Sequence, residues 1–429
     1  MSKVVQPDQN KQTLQEGDHF DVVVVGAGMV GASTALGLSQ LGQRILLIDA
    51  FNIHSSITGY TPSYDARSTA LSWGSKEILS QLSVWPDIAE HACAISQVHV
   101  SEQGKFGTTR MTAGEFEQSA LGYVVPNQWL GQCLLANIDQ EDICFCSATR
   151  VEAIQALRDR QQLTLRSDDG KGLKVSSRLL VISDGADSKT ARFLGIESDE
   201  ELYSQHALIA NVTTSLPNNG VAYERFTPKG PLALLPISEN TSSLVWTRDS
   251  SEINDYLNMN EAEFCKALEL EFGERLGLIE KCGERVSYPL KLMRAKEQYR
   301  QGVLLLGNAA HSLHPVAGQG FNLALRGVAA FLESVSQNVA DASAAGPAFE
   351  SLESLNKLCQ ERQRDQSKTI FLSDQLIKIF GSKMPVLSVL RDLGRVGLDN
   401  TPHLKSLFAA QTMGLAEKKT HFAMHGGRK

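Results

Sequence analysis

Long apolar runs are absent from the sequence. Nowhere in its 429 residues do about 18 apolar residues follow one another, which is the length that a membrane-spanning helix requires. Residues 1–18 are polar and lack the apolar centre of a secretory signal. We therefore expect a cytoplasmic protein whose contact with a membrane, if any, is peripheral, and we interpret residues 1–18 as a mobile tail.

Positive charge and cysteine are also in short supply. Lysine and arginine number 41 against 48 aspartates and glutamates, so the net charge of −7 gives no reason to expect a nucleic-acid partner. The seven cysteines are scattered and odd in number, which favours free thiols over a disulfide framework. Cys144 and Cys146 are closer together than zinc ligands usually are, so we predict core packing for them and no metal site.

What the sequence does contain is a complete strand–turn–helix–strand unit between Phe20 and Ala50. It opens with four valines, 22–25, which predict a strand buried on both faces. A G-x-G-x-x-G motif follows, and then helix formers with apolar residues at helical spacing, 32–41. A second apolar strand, 44–48, closes the unit. The motif therefore stands where a dinucleotide-binding site needs it.

Each residue of this motif has a physical role. Gly26 permits the tight turn after the strand, Gly28 leaves room for a pyrophosphate, and Gly31 lets the helix pack close to the strand. The amide groups at the start of that helix attract phosphate. Asp49, at the end of the second strand, can accept hydrogen bonds from an adenosine ribose and repels a 2′-phosphate. We predict FAD or NAD at this site in preference to NADP.

Two later blocks also follow buried strands. Asp184 to Ser188 comes after the strand predicted at 178–183 and is either a second strand–helix turn at the ligand or a plain helix cap at Ser188. Residues 307–322 come after the strand predicted at 302–306 and precede a long helix predicted at 323–339. The sequence alone leaves the two interpretations of the first block open.

The segments around these blocks differ in pattern. Residues 204–246 alternate as short strands between Pro, Gly and Asn turns, which predicts an antiparallel sheet inserted as a substrate-binding layer. No second G-x-G-x-x-G occurs, so no separate nicotinamide-binding unit is expected. Asn127 is placed as the N-cap of a helix at 128–137. Arg67 either reaches the cofactor or is a surface arginine, and the sequence does not decide between them.

The three blocks together resemble the single-component FAD-dependent aromatic hydroxylases, the family of para-hydroxybenzoate hydroxylase. That family has the dinucleotide motif, a D-G-x-x-S block and a G-D-A-A-H-x-x-x-P block in the order seen here. Within it the chain looks most like the ubiquinone-pathway hydroxylases, through stretches such as E-R-F-T-P-K-G-P-L-A-L-L-P (224–236) and L-G-N-A-A-H-S-L-H-P-V-A-G-Q-G-F-N-L (306–323). Asn308 and Gly327 are departures, since relatives commonly have Asp at these two places.

The resemblance implies an α/β fold of mixed α+β type, in which a Rossmann-type FAD-binding domain carries an inserted antiparallel-sheet substrate domain and a C-terminal helical region. After the tail, the FAD-binding domain is predicted to be discontinuous, and the substrate domain to interrupt it twice. The predicted ranges are 19–85, 120–200 and 284–345 for the FAD-binding domain, 86–119 and 201–283 for the substrate domain, and 346–429 for the C-terminal helices.

The resemblance also implies the site residues. The segment around Pro315, Gly318 and Gly320 would lie at the reacting centre, so these three are the predicted catalytic residues. The predicted FAD-binding residues are Gly26, Gly28, Met29, Val30, Gly31, Asp49, Ala50, Arg67, Asn127, Asp184, Gly185, Gly307, Asn308, Pro315, Gly318, Gln319, Gly320, Phe321 and Asn322. Arg225 and Trp246 either line the space for the substrate ring or belong to the surface and core of the sheet, and the sequence leaves both open.

The implied reaction is hydroxylation of the aromatic ring of a polyprenylated phenol in ubiquinone biosynthesis. NADPH or NADH would act as the transient electron donor to FAD, and O₂ would be activated as a flavin C4a-hydroperoxide. Other ubiquinone-biosynthesis proteins are the expected protein partners. Two alternatives stay open: a flavin hydroxylase of another aromatic substrate, and a non-catalytic FAD-binding subunit of a quinone-synthesis complex.

A polyprenyl substrate would have to be met at a membrane surface or delivered by a partner. The C-terminal stretch offers apolar residues near helical spacing followed by positive charge that anionic headgroups attract. These residues are Leu404, Leu407, Phe408, Met413, Lys418, Lys419, Arg428 and Lys429. The alternative is a helix packed on the FAD-binding domain with a mobile basic tail after it.

Overall fold

In the computed structural model, the described residues are 14–52, 67–104, 108–138, 143–313, 319–340 and 348–381. They form three β-sheets, and α-helices cover one face of the first sheet and one face of the second. The elements are numbered below in chain order. The predicted mobile tail, most of the segment before Arg67 and the C-terminal stretch after 381 lie outside the described residues.

The first sheet is largely parallel and contains the dinucleotide unit. Its strands are β1 (His19–Val25), β2 (Ile45–Ile48), β8 (Ile143–Cys146), β9 (Thr149–Ala156), β10 (Gln161–Ser167), β11 (Gly172–Ile182), β18 (Tyr299–Arg300) and β19 (Val303–Leu305). The order β19-β11-β1-β2-β8 is parallel throughout, while β18 and the hairpin β9–β10 are antiparallel additions. The valines at 22–25 are buried because this central strand is covered on both faces.

The second sheet has nine strands and is built mainly from the inserted segment. Its strands are β5 (Gln97–Glu102), β6 (Thr108–Thr112), β12 (Ser198–Thr214), β13 (Val221–Thr227), β14 (Gly230–Pro236), β15 (Thr241–Asp249), β16 (Ile279–Cys282), β17 (Val286–Ala295) and β20 (His311–Ser312). Their order is β20-β17-β12-β15-β14-β13-β5-β6, with β16 also paired to β12. A third, antiparallel sheet joins β3 (Ser68–Ser72), β7 (Gly122–Pro126) and β4 (Cys93–Ile95).

Helices complete the layers. They are α1 (Met29–Gln40), α2 (Trp73–Gln81), α3 (Trp85–Ala89), α4 (Asn127–Ala136), α5 (Lys189–Phe193), α6 (Ile253–Asn258), α7 (Glu261–Phe272), α8 (Gln319–Ala340) and α9 (Leu352–Gly381). Short 3₁₀ turns occupy Ala113–Phe116, Glu274–Leu276 and Gly307–Ala309. None of the helices in the described ranges combines the length and the hydropathy needed to cross a bilayer. All seven cysteines are free thiols.

Separate apolar cores hold the layers together. One core packs α1 and α8 on the first sheet through residues such as Leu38, Leu304 and Leu332, and another covers the reverse face of that sheet. A third lies between the second sheet and α6–α7, around Trp246 and Phe264. Since each sheet has its own core, the space between the two large sheets stays available for a ligand.

The predicted fold class is confirmed, and the structure differs from the sequence-based boundaries at three places. β4 pairs with β7 in the third sheet, although 86–119 was predicted as substrate sheet. β17 pairs with β12 in the second sheet, although 284–345 was assigned to the FAD-binding domain. β5 and β13 pair in parallel within a sheet predicted to be antiparallel, because β5 joins it from a distant segment of the chain.

Candidate active site

One large cavity joins the dinucleotide unit to the second sheet. Its volume is about 1170 Å³, and its wall runs from the turn after β1 to the inner face of β5, β6 and β12–β15. Most of the predicted FAD-binding residues that the structure describes line it: Gly26, Gly28, Met29, Val30, Asp49, Ala50, Arg67, Asn127, Asp184, Gly185, Asn308, Gln319, Gly320, Phe321 and Asn322. Pro315 and Gly318, two of the three predicted catalytic residues, lie outside the described residues.

The three glycines of the motif do different things. Gly26 has φ +97°, and a Cβ there would lie 2.6 Å from the carbonyl oxygen of Ser183, so the turn requires glycine. Gly31 is buried, and a Cβ on it would collide with the Gly26 carbonyl oxygen. Gly28 is different, because among the described residues no atom beyond its chain neighbours lies within 4 Å of where its Cβ would be. Gly28 thus keeps open a space that belongs to the cavity.

The start of α1 faces this open space. Gly28 is the N-cap, and no side chain caps the helix. The first amides of an α-helix have no carbonyl partner within the helix, and the helix dipole is positive at that end. Met29 and Val30, the first two helical residues, line the cavity. This end of the cavity is therefore built to take an anionic group such as a pyrophosphate.

Asp49 fixes the loop around that space. Its Oδ2 accepts a hydrogen bond from the Ala27 amide at 2.7 Å, and its Oδ1 accepts one from the Phe51 amide at 2.8 Å. A carboxylate oxygen can accept more than one hydrogen bond, so both oxygens keep capacity for a ribose. The sequence predicted the binding of a ribose by Asp49, but it did not predict that Asp49 holds the loop.

The Asp184 block combines the two interpretations that the sequence left open. Ser188 caps α5 by accepting a hydrogen bond from the Ala191 amide at 2.9 Å. Asp184 lines the cavity, and its Oδ2 accepts hydrogen bonds from the hydroxyl (2.7 Å) and the amide (3.2 Å) of Thr190. Its Oδ1 is buried without a hydrogen-bond partner in the described part of the chain. A buried acceptor of this kind needs a donor, and a ligand hydroxyl would supply one.

Two other predicted residues sit on neighbouring elements. Asn127 is the first residue of α4, with Pro126 as the N-cap, so its prediction as the cap was wrong. Its side-chain oxygen instead accepts a hydrogen bond from the Thr69 hydroxyl at 2.6 Å. The guanidinium carbon of Arg67 lies 5.8 Å from the centre of the Tyr288 ring at the cavity wall, so Arg67 is placed to reach a ligand.

The block at 307–322 closes the cofactor end. Gly307 has φ +61°, and a Cβ there would lie 2.9 Å from Cγ2 of Val30, so glycine allows this turn to approach α1. Asn308 follows with its side chain exposed at the cavity wall. α8 begins at Gln319, four residues before the predicted start, and its first turn also lines the cavity. A second helix N-terminus therefore faces the same space.

Asn322, predicted to bind the cofactor, has a mainly structural side chain. Its oxygen accepts hydrogen bonds from the Ser72 amide at 2.9 Å and the Ser75 hydroxyl at 2.7 Å, and its nitrogen donates to the Ala70 carbonyl at 2.8 Å. The residue is 1% exposed. It ties α8 to β3 and α2, and thereby positions the first turn of α8.

Of the two alternatives left open for Arg225 and Trp246, the structure shows the structural one, since neither lines the cavity. Trp246 is fully buried on the reverse face of the sheet, with its ring 5.7 Å from the ring of Phe264. Arg225 donates from Nε to the carbonyl of Glu271 at 2.7 Å. Strand alternation showed that each strand has two faces, but not which of them meets the cofactor.

The inner face of the second sheet, which the sequence predicted as a substrate-binding layer, supplies a largely apolar wall. Its cavity-lining side chains are Val98, Val100, Thr109, Met111, Ile209, Ala222, Glu224, Phe226, Pro231, Ala233, Leu235, Ser243, Val245 and Thr247. Glu224 is the one charged residue among these, while β17 of the same sheet adds Lys291 to the wall. Burial raises the pKa of Glu224 to about 8. The sequence did contain a signal for Glu224, because strand alternation places this glutamate on the same face as the apolar Ala222 and Phe226.

Electrostatics distinguish the histidines from this carboxyl. His311 is buried between α8 and α9, where burial and the nearby Arg362 lower its pKa to about 4. It stays neutral at physiological pH and does not line the cavity. His314 lies outside the described residues.

The residues present therefore fit FAD. The cavity has an open glycine cradle at a helix N-terminus for the pyrophosphate, Asp49 for a ribose, and a buried unpaired oxygen of Asp184 for a hydroxyl. A second helix N-terminus stands at the other end of the same space. The described residues hold no cluster of three or more His, Cys, Asp or Glu that could bind a metal ion.

Comparison with known proteins agrees with this geometry. The model of the FAD binding domain family matches residues 19–340. The ubiquinone hydroxylase UbiL of Rhodospirillum rubrum is 30% identical over 397 residues, covering 92% of this chain and 89% of the relative. The 3-demethoxyubiquinol 3-hydroxylase of Escherichia coli is 28% identical over 396 residues, covering 92% and 98%.

The fold agrees as well. The crystal structure of p-nitrophenol 4-monooxygenase from Pseudomonas putida superimposes with a TM-score of 0.74 at 17% identity, covering 94% of this chain and 99% of the other. Since the family model spans most of the sequence and the motif residues line one cavity, the chain belongs to the FAD binding domain family and, within it, to the FAD-dependent aromatic hydroxylases.

Proposed function

We propose that this protein hydroxylates the aromatic ring of a polyprenylated phenol in ubiquinone biosynthesis, as a 2-octaprenyl-6-methoxyphenol hydroxylase would. The observation that carries the proposal is the continuous cavity of about 1170 Å³, which has a polar dinucleotide end and a long apolar wall. A small hydrophilic ring would not need that extent of apolar surface. A phenol with an isoprenoid chain would bury against it.

The relatives support the same substrate class. Two of them are named as a ubiquinone hydroxylase and a 3-demethoxyubiquinol 3-hydroxylase, and each is matched over more than four fifths of its length. At about 30% identity, the position attacked on the ring and the length of the prenyl chain do not transfer from one protein to the other.

The residues of the chain would divide the work between binding and shielding. Bound FAD supplies the transfer of reducing equivalents from a nicotinamide and the activation of O₂. The α1 N-terminus and Gly28 would hold the pyrophosphate, and Asp49 a ribose. The α8 N-terminus would favour negative charge near the reacting ring. The apolar wall of β5, β6 and β12–β15 would exclude water from the reaction space.

The electron donor is proposed to be NADPH or NADH, bound transiently. No second G-x-G-x-x-G exists to hold it in a separate domain. The donor would therefore approach the cofactor from the cavity that the substrate also enters.

The test is product analysis with the purified holoprotein. A prenylated phenol in detergent micelles, NADPH or NADH, and isotopically heavy O₂ should give a phenol that has gained one labelled oxygen atom, detected by mass spectrometry. A soluble aromatic acid serves as the competing substrate. If nicotinamide is oxidised and only the aromatic acid gains the labelled oxygen, the proposal is wrong and the protein is a hydroxylase of another aromatic substrate.

A further inference from the structure

Glu224 stands out in the wall that faces the cofactor. It lies on β13 between Ala222 and Phe226 on the cavity face of the sheet. The intervening residues point the other way: the Tyr223 ring packs 5.4 Å from the Phe272 ring, and Arg225 bonds to Glu271. The carboxyl of Glu224 is therefore directed at the space that a substrate ring would occupy.

Its immediate neighbours offer it no partner. Across the strand pairs it faces Val100 on β5 and Ala233 on β14, and the next residues of those strands on this face are Val98 and Leu235. No hydrogen bond or ion pair joins its carboxyl to any other described residue. Glu224 is half-buried, and a carboxyl without a partner is poorly solvated in an apolar wall, so its place there calls for a ligand that it can bond.

The charged groups around the cavity lie elsewhere. β17 contributes Tyr288 and Lys291 to the wall, and His99 of β5 and Arg248 of β15 lie buried in the sheet away from the cavity. The remaining ionisable side chains of the wall belong to the cofactor end and its rim, namely Asp49, Arg67, Arg150, Asp184, Asp187 and Lys189. Burial alone sets the raised pKa of Glu224, at about 8.

We propose that Glu224 binds the hydroxyl group of the phenol substrate and accepts its proton while the ring is oxygenated. This inference rests on the proposed function, since it requires a phenolic substrate. A carboxyl that titrates near the working pH is suited to exchange a proton with a substrate hydroxyl. Removing the phenolic proton makes the ring more electron-rich, which is what an electrophilic oxygen atom requires.

The proton balance closes within the site. The O–H bond of the phenol breaks, its proton passes to the Glu224 carboxylate, and the electron pair stays on the phenol oxygen. After the ring carbon has gained oxygen and lost its hydrogen as a proton, Glu224 returns a proton to the phenolate oxygen. The carboxyl ends as it began. O₂ supplies the oxygen atom that the ring gains, and the nicotinamide supplies two electrons. The second oxygen atom of O₂ leaves as water, which takes up the proton lost from the ring carbon.

The experiment compares Glu224→Gln and Glu224→Leu with the wild-type holoenzyme, using Glu280→Gln as the matched control. Glu280 is an exposed glutamate of the same sheet, and it does not line the cavity. Two phenols are used: one that stays neutral at the assay pH, and a fluorinated analogue that is ionised there. FAD content is measured for every variant, and phenol binding is measured by calorimetry.

With the neutral phenol, Glu224→Gln should lower kcat roughly a hundredfold with little change in KM, because the amide can still bond the hydroxyl but cannot take its proton. The loss should largely disappear with the ionised phenol. The wild-type kcat/KM should rise with pH through about 8, and this rise should be missing in Glu224→Gln. Glu224→Leu should also weaken phenol binding, and Glu280→Gln should match the wild type.

Equal loss on both phenols, or no loss on either, would overturn the role of Glu224. A wild-type enzyme that hydroxylates other phenols but no prenylated one would refute the proposed function alone, because the comparison of variants could be made with those phenols. If no phenol is turned over, equal phenol affinity of wild type and Glu224→Leu in calorimetry would still refute the hydrogen bond.

Discussion

Asp49 shows how one residue serves both the fold and the ligand. Its two oxygens accept the amides of Ala27 and Phe51, so the carboxylate holds the loop that forms the phosphate cradle. The glycines also differ in role. A side chain at Gly26 or Gly31 would collide with backbone atoms of the protein, whereas a side chain at Gly28 would enter the space of the cavity. A substitution at Gly28 thus tests the ligand with little disturbance of the fold.

We expect Gly28→Val to remove FAD while the protein stays folded. The φ of −65° and ψ of 180° at Gly28 are open to any residue, and no other atom of the described part of the chain, its two neighbours aside, lies within 4 Å of the new Cβ. Flavin absorbance per protein should fall to background, whereas circular dichroism should be unchanged. Gly172→Val, in a strand and away from the cavity, is the control and should keep its flavin. Full FAD content in Gly28→Val would show that the pyrophosphate does not bind at the N-terminus of α1.

At the level of elements, the sequence predicted individual strands and helices better than it predicted which of them pair. The strands β1 and β19 follow from apolar runs that need no distant partner, and α1 follows from helix formers at 32–41, although it begins three residues earlier, at Met29. The pairing of β5 with β13 and the bonds of Asn322 to β3 and α2 join segments far apart in sequence. For the same reason the sequence did not decide between the cavity face and the core for Trp246, since only the packing of α6 and α7 on β15 places it in the core.

The contact between α8 and α9 explains one departure from the family pattern. The guanidinium of the buried Arg362 lies where a Cβ on Gly327 would be, so glycine at this position makes room for the arginine. Nearby, Arg326 and Asp365 form a half-enclosed ion pair at 2.8 Å, with both side chains 11% exposed. Gly327 and Arg362 therefore belong to one packing unit that joins the last described helix to the FAD-binding part.

We expect Gly327→Val to destabilise the protein by about 1–3 kcal/mol, the usual cost of overpacking. Thermal unfolding of the holoprotein measures this. Gly327→Val combined with Arg362→Ala should lose less than the sum of the single changes, because the new side chain then has space. Gly131→Ala, in α4 with nothing within 4 Å of its Cβ, is the control and should be neutral or stabilising. Additive losses in the double variant would show that the two positions do not share that space.

At the scale of the whole molecule, the cavity depends on both large sheets. The first sheet supplies the cofactor end and the second the apolar wall, so neither half forms the site alone. A prenylated substrate must leave a bilayer to enter this space, and none of the described helices could cross one. A substrate of the proposed kind would reach the cavity through contact of the protein with a membrane surface or from a partner protein.

The proposed place of contact is the C-terminal stretch, which lies outside the described residues and is judged from its sequence alone. Its positive charges would be drawn to anionic headgroups, and its apolar residues to the interface. Deleting residues 415–429 should then lower turnover of a long-chain prenyl phenol in anionic vesicles and spare that of a short-chain soluble analogue. The truncated protein should keep its full FAD content, which serves as the control for folding. Equal loss on both substrates would assign the segment to folding, and no loss on either would mean that the lipid substrate arrives by another route.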